Sequence, residues 1–435
     1  MPNHGNNSVK NEIRDTFAPL RSQHISIHTL KEKLYILKHE KIKNYILIND
    51  IGLLIWGLLN GTNTIYDIEN ILKHQDIEIK RDEIKSFIAT LGKHGFLENF
   101  QQRDTTEDYS SAFIKKFPLL KASTASKMIA KIYKYLGWTL NKPFTIVATL
   151  IILCGGIIFF LDNLWTAFRK ELFTFFGSST LSFLIIPLFY MPIIILHEIY
   201  HGLACTKYKV EVLEIGFIIY YFYPGFYCDT TDAWLTGRRE RIYISLAGPY
   251  STLLLWAIFI LINKLFQIMN FVFGVLNKLL LLSIYVCLII ILWSLCPLIQ
   301  NDGYYFLMDA VNIPNLRYKA FSFVKGIFKR NGNIECEVPW QYKLIFICYV
   351  LGSIFLIYLA IYSTLLWLKW AFIELFILVT TLIVEHKVPD MITIFTMILI
   401  LFWLLIKSYL FLRKFAHLIK KRVKMLQLSQ GIYVY

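Results

Sequence analysis

The chain of 435 residues is 56% hydrophobic and 17% charged, with a mean hydropathy of +0.51. Typical soluble domains are about 45–50% apolar and about 25% charged, so this composition disfavours an ordinary cytosolic enzyme and excludes a disordered or collagen-like chain. The net charge of +15 would indicate nucleic-acid binding in a soluble protein. Residues 1–141 hold 20 basic and 15 acidic side chains and the remainder holds 25 and 15. The excess therefore lies mostly between apolar stretches, as in a membrane protein with positive cytoplasmic loops.

Residues 1–100 predict a small α+β domain. Two β-rich runs, 33–38 and 43–48, are separated by a short charged turn, which is typical of a hairpin. Helical segments with capping residues at their ends follow at 51–59, 65–74 and 81–93. Two strands followed by three short helices predict a winged-helix-like domain. Residues 101–142 are polar and basic, and they predict a linker that becomes an interfacial helix at 127–135.

The rest of the chain is dominated by apolar runs near the roughly 20 residues that a helix needs to cross a membrane. The candidate spans are 144–161, 181–204, 243–263, 276–300, 342–366 and 389–412. Residues 371–384 are apolar but short, and three interpretations stay open: an extra span, a re-entrant piece or an extension of the preceding helix. The predicted fold is mainly α, a polytopic helical membrane protein of six or seven spans with a small N-terminal α+β domain.

Charge predicts the orientation of these spans. Residues 1–8 are polar and lack the apolar core of a signal peptide, so the N-terminus is expected in the cytoplasm. Loops 206–241 and 317–330 carry five Lys/Arg each, whereas 162–180 and 264–278 carry two each. Basic loops belong on the cytoplasmic side. The predicted location is therefore the cell membrane, with several crossings and a cytoplasmic N-terminus.

The sequence His197-Glu198-Ile199-Tyr200-His201 lies near the end of the second predicted span. Histidines four residues apart lie on one face of a helix, where they can bind one metal ion. The Glu198 carboxylate beside the first histidine is placed to accept a proton from water. Ionisable side chains are costly within an apolar helix and usually functional, so the pattern predicts a zinc-peptidase site rather than a buried polar pair.

A zinc hydrolase needs a third protein ligand and leaves a fourth position for water. Two predicted spans separate the motif helix from Asp302, and an even number of crossings returns the chain to the same leaflet. Asp302 is therefore the favoured third ligand, with Gly303 beside it allowing close approach of the backbone. Spacing alone leaves other carboxylates open, and those in the intervening loop are Glu214, Asp229 and Asp232.

A β-rich stretch at 211–223 precedes Pro224-Gly225 and predicts a hairpin beside the metal. Such a hairpin could hold a peptide substrate as an added strand, and a purely structural loop is the alternative. Asp229 and Asp232 follow it, and they are candidate substrate contacts or, alternatively, turn-capping residues.

Five motifs in the membrane part are shared with a known family. They are H-E-I-Y-H at 197–201, C-D-T-T-D-A-W at 228–234, S-L-A-G-P at 245–249, N-D-G-Y-Y-F-L-M-D at 301–309 and I-P-N-L-R at 313–317. Over residues 181–317 the chain thereby resembles the site-2-type intramembrane zinc metalloproteases, and within them the peptide metalloprotease branch associated with ribosomally made, modified peptides. The resemblance divides the membrane part into a protease core, 143–317, and C-terminal spans with a basic tail, 318–435.

The resemblance implies that His197, His201 and Asp302 bind Zn²⁺ and that Glu198 is the general base. The chain departs from the family at one point. Many relatives carry Asn-Pro shortly before the D-G motif, at a position linked to substrate contacts, and here that pair is Cys296-Pro297. This departure leaves the role of an amide donor open at that position, with or without compensation by Asn301, which is a candidate substrate-binding residue.

The N-terminal domain is similar, within this branch, to the small peptide-recognition domain of the PQQ-biosynthesis chaperone type. This resemblance implies that residues 1–100 bind a leader peptide along a strand edge. A winged helix that binds DNA or another protein is the alternative. The nearly balanced charge of residues 1–141 argues against a nucleic-acid partner.

The predicted function is an intramembrane zinc endopeptidase that cleaves a peptide precursor or a membrane-inserted peptide near the cytoplasmic face. Leader removal from a ribosomally made, modified peptide is the expected reaction. The predicted partners are a small precursor peptide, the lipid bilayer and a modifying enzyme or exporter encoded nearby. The alternatives are a non-catalytic metal-dependent peptide transporter or immunity protein, a site-2 protease that releases a membrane-tethered regulator, and a DNA-binding membrane sensor.

Overall fold

A computed structural model describes residues 15–29, 34–42, 44–100, 114–162, 179–220, 223–270, 274–328 and 339–384. The chain divides into two units: one comprises Met1–Phe159 and Tyr190–Pro314, and the other comprises Phe160–Phe189 and Asn315–Tyr435. The structure is mainly helical, with a small N-terminal domain that contains strands.

The N-terminal domain begins with an antiparallel sheet of three strands in chain order, β1 (Ile25–Thr29), β2 (Leu34–His39) and β3 (Asn44–Asn49). The predicted hairpin corresponds to β2 and β3. The sequence does not predict β1, because its five residues include polar side chains on both faces and are only partly buried. Pairing with β2 stabilises this strand in spite of its weak pattern.

Three helices complete this domain: α1 (Asp50–Leu58), α2 (Ile65–Lys73) and α3 (Arg81–Lys93). The Asn49 side chain accepts a hydrogen bond from the Gly52 amide at the start of α1. Thr64 and Asp67 form a reciprocal capping box at the start of α2. The strands and helices enclose one apolar core, whose fully buried members include Leu37, Ile65, Ile68, Ile84, Ile88 and Phe96. The three helices lie close to the predicted segments.

A second antiparallel sheet is built from distant parts of the chain. It consists of β4 (Ile114–Lys121), β5 (Glu214–Tyr220) and β6 (Tyr223–Asp229), in that order. The prediction of 101–142 as a linker is therefore wrong for the segment that forms β4. Its lysines and Pro118 are typical of a loop, and the strand becomes evident only when β5 lies alongside it with an irregularity at Pro118.

The predicted β-rich stretch also has different bounds in the structure. The sequence places a break at Pro224-Gly225, whereas β6 continues through both residues. The Cys228 amide points away from β5, since it donates to a side chain outside the sheet. Alternation along the strand puts Pro224 on the same outer edge, where the missing N–H of proline removes no ladder hydrogen bond.

The helix α4 (Ala122–Leu136) follows β4 directly and is longer than the predicted interfacial helix at 127–135. Its buried side chains, Ala125 and Ile129, pack against the core of the membrane part. The Ser126 hydroxyl also hydrogen-bonds the backbone of Val212, just before β5. Hence α4 is attached to the second sheet at both its start and its buried face.

Five helices of the described residues are long and apolar enough to cross a membrane. These segments are α5 (Lys142–Leu161), the part Ile186–Lys207 of α6 (Ser179–Lys207), α7 (Arg238–Ile268), α8 (Gly274–Ser294) and the part Trp340–Ser363 of α11 (Trp340–Val384). They correspond to the first five predicted spans. Residues 371–384 continue α11, which agrees with the helix-extension interpretation. The sixth predicted span, 389–412, lies outside the described residues.

Two short helices, α9 (Asp302–Ala310) and α10 (Leu316–Phe328), follow α8. The predicted span at 276–300 is therefore too long at its C-terminal end, because α8 ends at Ser294 and a loop containing Cys296 leads to α9. This loop turns the chain so that α9 begins with Asp302.

Close contact between α5 and α7 depends on one glycine. A Cβ atom at Gly155 would lie 2.8 Å from the backbone Cα of Ala257. One turn further along α5, the Phe159 ring packs on the Trp256 ring with centroids 5.2 Å apart. Small residues allow helices in membranes to approach closely, so Gly155 is the contact point of this pair.

We expect Gly155→Val to lower the unfolding temperature of the purified protein by several degrees, because overpacking of this kind costs about 1–3 kcal/mol. Thermal unfolding in detergent measures the change. Gly156→Val is the matched control, since a Cβ at Gly156 meets nothing within 4 Å. Equal losses in the two variants would mean that helix propensity, rather than packing, explains the effect.

Candidate metal centre

The two histidines of the motif lie on one buried face of α6. His197 is 2% exposed and His201 is 5% exposed, and their ring centroids are 5.0 Å apart. One helical turn separates them, so both rings point toward the same side of the helix. The helix therefore brings the predicted pair to one side of α6.

Asp302 joins this pair as the first residue of α9. Its Oδ2 lies 3.0 Å from His197 Nε2, and its Oδ1 lies 3.3 Å from His201 Nε2. Burial opposes the charge of Asp302, but its interactions with the His201 and His197 rings hold its pKa below the ordinary value. In the described part of the chain, this is the one group of three His, Cys, Asp or Glu residues whose ligand atoms lie within 4.8 Å of one another.

The two separations between the Asp302 oxygens and the imidazole nitrogens fit a zinc ion. Bonds of about 2.0–2.2 Å in a tetrahedral arrangement place ligand atoms about 3.3 Å apart. The two separations from Asp302 to the imidazole nitrogens agree with that value. Two imidazoles and one carboxylate also form a donor set that zinc prefers, with a fourth position left for water. The alternative ligands Glu214, Asp229 and Asp232 do not belong to this group.

Hydrogen bonds on the far side of each ring fix which nitrogen faces the metal. His201 Nδ1 lies 2.8 Å from the Ile244 carbonyl oxygen, which can only accept, so Nδ1 carries the proton. His197 Nδ1 lies 2.9 Å from Thr252 Oγ1, whose own hydrogen is donated to the Gly248 carbonyl. These contacts through Nδ1 leave Nε2 of both rings facing Asp302, as the nitrogen that would bind a metal.

Two glycines allow the backbone to approach the cluster. A Cβ at Gly248 would lie 2.3 Å from His201 Nε2 and 2.5 Å from His197 Nε2. A Cβ at Gly303 would lie 2.2 Å from the backbone oxygen of Leu295. The A-G-P and D-G motifs therefore have steric explanations: the first brings α7 against both rings, and the second lets α9 start directly beside the end of α8.

Glu198 is held by the edge of the second sheet. Its Oε2 accepts a hydrogen bond of 2.9 Å from the Cys228 amide at the outer edge of β6. The residue is adjacent to His197 in the chain, so the same helix turn carries a ligand and the predicted base. The hairpin predicted from the sequence thus contacts the motif helix directly.

A buried ion pair anchors α9 at the end opposite to Asp302. Arg241 Nε lies 2.8 Å from Asp309 Oδ1, and Arg238 donates to the backbone oxygens of Asp309 and Ala310. Burial raises the pKa of Asp309 above its ordinary value in spite of the nearby Arg241. The basic start of α7 therefore holds the short helix whose first residue completes the cluster.

The three predicted substrate-binding residues, Asn301, Asp229 and Asp232, each have hydrogen-bond partners within the protein. Asn301 is the N-cap residue of α9, and its side-chain amide donates to the Trp293 carbonyl at the end of α8. Asp229 accepts hydrogen bonds from the amide and hydroxyl of Thr231, which is the turn-capping arrangement. Asp232 is 4% exposed and paired with Lys38, so its carboxylate has a partner within the protein.

Three contributors to the site do not follow from sequence reasoning. They are the Thr252 hydroxyl, the Ile244 carbonyl and the Cys228 amide. Two are backbone groups, which every residue has, so no residue type signals them. Thr252 lies one helical turn after Gly248, and that spacing is the one signal that could have indicated a hydroxyl directed toward the rings.

Comparison with known proteins gives one partial likeness. A protein of Bacillus subtilis (strain 168), named "Putative peptide zinc metalloprotease protein YydH", is 28% identical to this chain over 131 residues. The match covers 30% of this chain and 49% of that protein, so the chain spans about half the length of the curated relative it matches. No family model and no solved structure matches the chain.

We expect Thr252→Val to weaken zinc binding by about 10- to 100-fold, because a second-sphere partner of a metal-binding histidine typically contributes that much. Competition with a chromogenic chelator measures the affinity. Ser251→Ala is the matched control: both hydroxyls bond to the Gly248 carbonyl, and Thr252 is the one that contacts the ring. Unchanged affinity in Thr252→Val would contradict the assigned role.

Proposed function

We propose that this protein is an intramembrane zinc endopeptidase that cleaves peptides beside the cytoplasmic end of α6. One observation carries the proposal: the predicted base Glu198 is fixed by the Cys228 amide directly beside three ligand atoms arranged for one zinc ion. The name of the B. subtilis relative supports a peptide zinc metalloprotease, and the five apolar helices support a membrane protein.

The position of the cluster along α6 supports cleavage within the membrane. His201 lies six residues and His197 ten residues before Lys207, where the candidate membrane segment ends. At a rise of 1.5 Å per residue, these histidines lie about 9 and 15 Å from that end. The two histidines therefore lie inside the apolar segment of α6 rather than at its boundary.

Each residue of the site has a distinct part in the proposed reaction. A bound zinc ion would polarise the scissile carbonyl and lower the pKa of water toward about 7. The His197 and His201 rings would bind it through Nε2, and Asp302 would offset part of its charge. Glu198, oriented through its Oε2 by the Cys228 amide, uses the other carboxylate oxygen to accept the proton of water and pass it to the leaving amine.

The edge of β6 supports an extended peptide as substrate. In the described sheet β6 is an edge strand, and the Cys228 amide on its outer edge donates to Glu198 of the motif helix. A peptide added to this edge would have an accessible backbone next to Glu198, whereas the peptide bonds of an intact helix are shielded. This arrangement favours a substrate that is extended when it is cut.

The N-terminal domain is our candidate for peptide recognition. Its sheet order leaves β3 at an edge of the described sheet, where the leader of a precursor peptide would add as a further strand. We therefore propose a winged-helix-like recognition domain, a cytoplasmic N-terminus and a ribosomally made, modified peptide as the substrate class. A modifying enzyme or exporter encoded nearby would act on the same peptide.

We expect Glu198→Gln to lower the cleavage rate by more than about 100-fold, because a positioned general base contributes about 10²–10⁴-fold. The full chain, zinc-loaded in nanodiscs, is incubated with a tryptic peptide library from a bacterial proteome, and mass spectrometry identifies new peptide ends. Bound zinc, measured by elemental analysis, should equal that of the wild type, since Glu198 does not belong to the ligand group.

Glu211→Gln is the matched control, because Glu211 is exposed and lies outside the cluster. Cleavage by Glu198→Gln at the wild-type rate, or an inactive zinc-loaded wild type, would contradict the proposal. Peptides that bind the wild type and are recovered uncut would instead support the transporter or immunity alternative.

A further inference from the structure

The carboxylate of Asp232 accepts hydrogen bonds from two side chains of the N-terminal domain, although Asp232 belongs to the loop beside the metal cluster. Its Oδ2 lies 3.0 Å from Lys38 Nζ, and its Oδ1 accepts a hydrogen bond of 2.5 Å from the Tyr45 hydroxyl. Asp232 and Lys38 are both deeply buried. The proposed reaction does not use this contact.

The two partners of Asp232 form a matched pair in the N-terminal sheet. Lys38 of β2 and Tyr45 of β3 are directly opposite in the antiparallel register, so their side chains lie on the same face. Burial opposes the charge of Lys38, but the hydrogen bond and the attraction from Asp232 raise its pKa above the ordinary value. Because a buried charge requires a partner, this pair holds Asp232 at one definite position.

Asp232 lies four residues after Cys228, whose amide donates to Glu198. The intervening segment is stiff, because Asp229 Oδ1 accepts from both the amide and the hydroxyl of Thr231. The Asp229 carbonyl also accepts from the Leu213 amide at the base of the hairpin. A shift of Asp232 would therefore move the end of β6 and the amide that orients Glu198.

The same turn also touches the helix that carries Asp302. Asp232 lies in the 3₁₀ turn Thr231–Leu235, and the Trp234 ring of this turn packs under the Arg241 guanidinium at 5.1 Å. Arg241 in turn pairs with Asp309 of α9. The turn thus lies between the group that orients the base and the group that anchors the third ligand.

We propose that Lys38 and Tyr45 are positioning residues for Glu198, acting through Asp232 and the strand end at Cys228. The inference rests on the proposed function, in which Glu198 is the base. It makes the N-terminal domain a part of the catalytic unit as well as a peptide-binding domain, since removing its two side chains would leave the base without a fixed orientation.

The experiment uses full-length protein in nanodiscs with the variants Lys38→Met, Tyr45→Phe and Lys38→Arg. Hydrogen exchange of the segment 224–234 is followed by mass spectrometry, and zinc content is measured on the same samples. The kinetic probe is the library peptide that the wild type cleaves fastest. Lys41→Met and Tyr66→Phe are the controls, because both side chains are exposed in the same domain and take part in neither hydrogen bond to Asp232.

We expect faster exchange at 224–234 in Lys38→Met and Tyr45→Phe, with zinc content unchanged. In these variants kcat should fall by about 10- to 100-fold at nearly constant KM, since misplacement of a catalytic group costs about that much. Lys38→Arg, which keeps the charge, should restore most of kcat, and both controls should match the wild type. If Lys38→Met does not fold, Tyr45→Phe, which removes a single oxygen, gives the result alone.

Wild-type exchange and wild-type kcat in Lys38→Met and Tyr45→Phe would overturn the inference. So would a loss of activity that follows a loss of zinc or a rise of KM alone, because either would indicate general damage or substrate binding. An inactive wild type would instead count against the proposed function. The exchange measurement would still decide whether Lys38 and Tyr45 stabilise the segment 224–234.

Discussion

Ionisable groups within apolar helices are tolerated only where they are paired, and one such pairing organises this structure. Two imidazoles on α6 meet the Asp302 carboxylate at 3.0 and 3.3 Å, and the helix that carries them is otherwise mostly apolar. Other elements converge on this point. The turn after α8 brings α9 beside α6, Gly248 lets α7 approach both rings, and the Cys228 amide of β6 holds Glu198, the predicted base.

Much of this arrangement is visible in the sequence because it depends on local periodicity. Four-residue spacing places His197 and His201 on one helix face, and counting two crossings returns Asp302 to the same side. Apolar runs indicate the first five spans, and capping residues indicate the three N-terminal helices. In each case the signal lies within one segment, so no knowledge of neighbouring segments is required.

What the sequence does not reveal depends on contacts between distant segments. Strand β4 contains lysines and a proline, and it becomes a strand only through pairing with β5, about 100 residues later. The Cys228 amide and the Ile244 carbonyl are backbone groups, and no residue type in the sequence indicates that they contact the site. The position of Asp232 in a motif predicts a substrate contact. In the structure its carboxylate pairs instead with Lys38, 194 residues earlier.

Zinc K-edge X-ray absorption can determine whether His197, His201 and Asp302 together bind one zinc ion. On purified protein containing one zinc per chain, we expect a four-coordinate shell of nitrogen and oxygen at about 2.0–2.1 Å with two imidazole rings. His201→Ala should remove the scattering of one ring. A sulfur shell at about 2.3 Å, or two rings retained in His201→Ala, would rule out this ligand set.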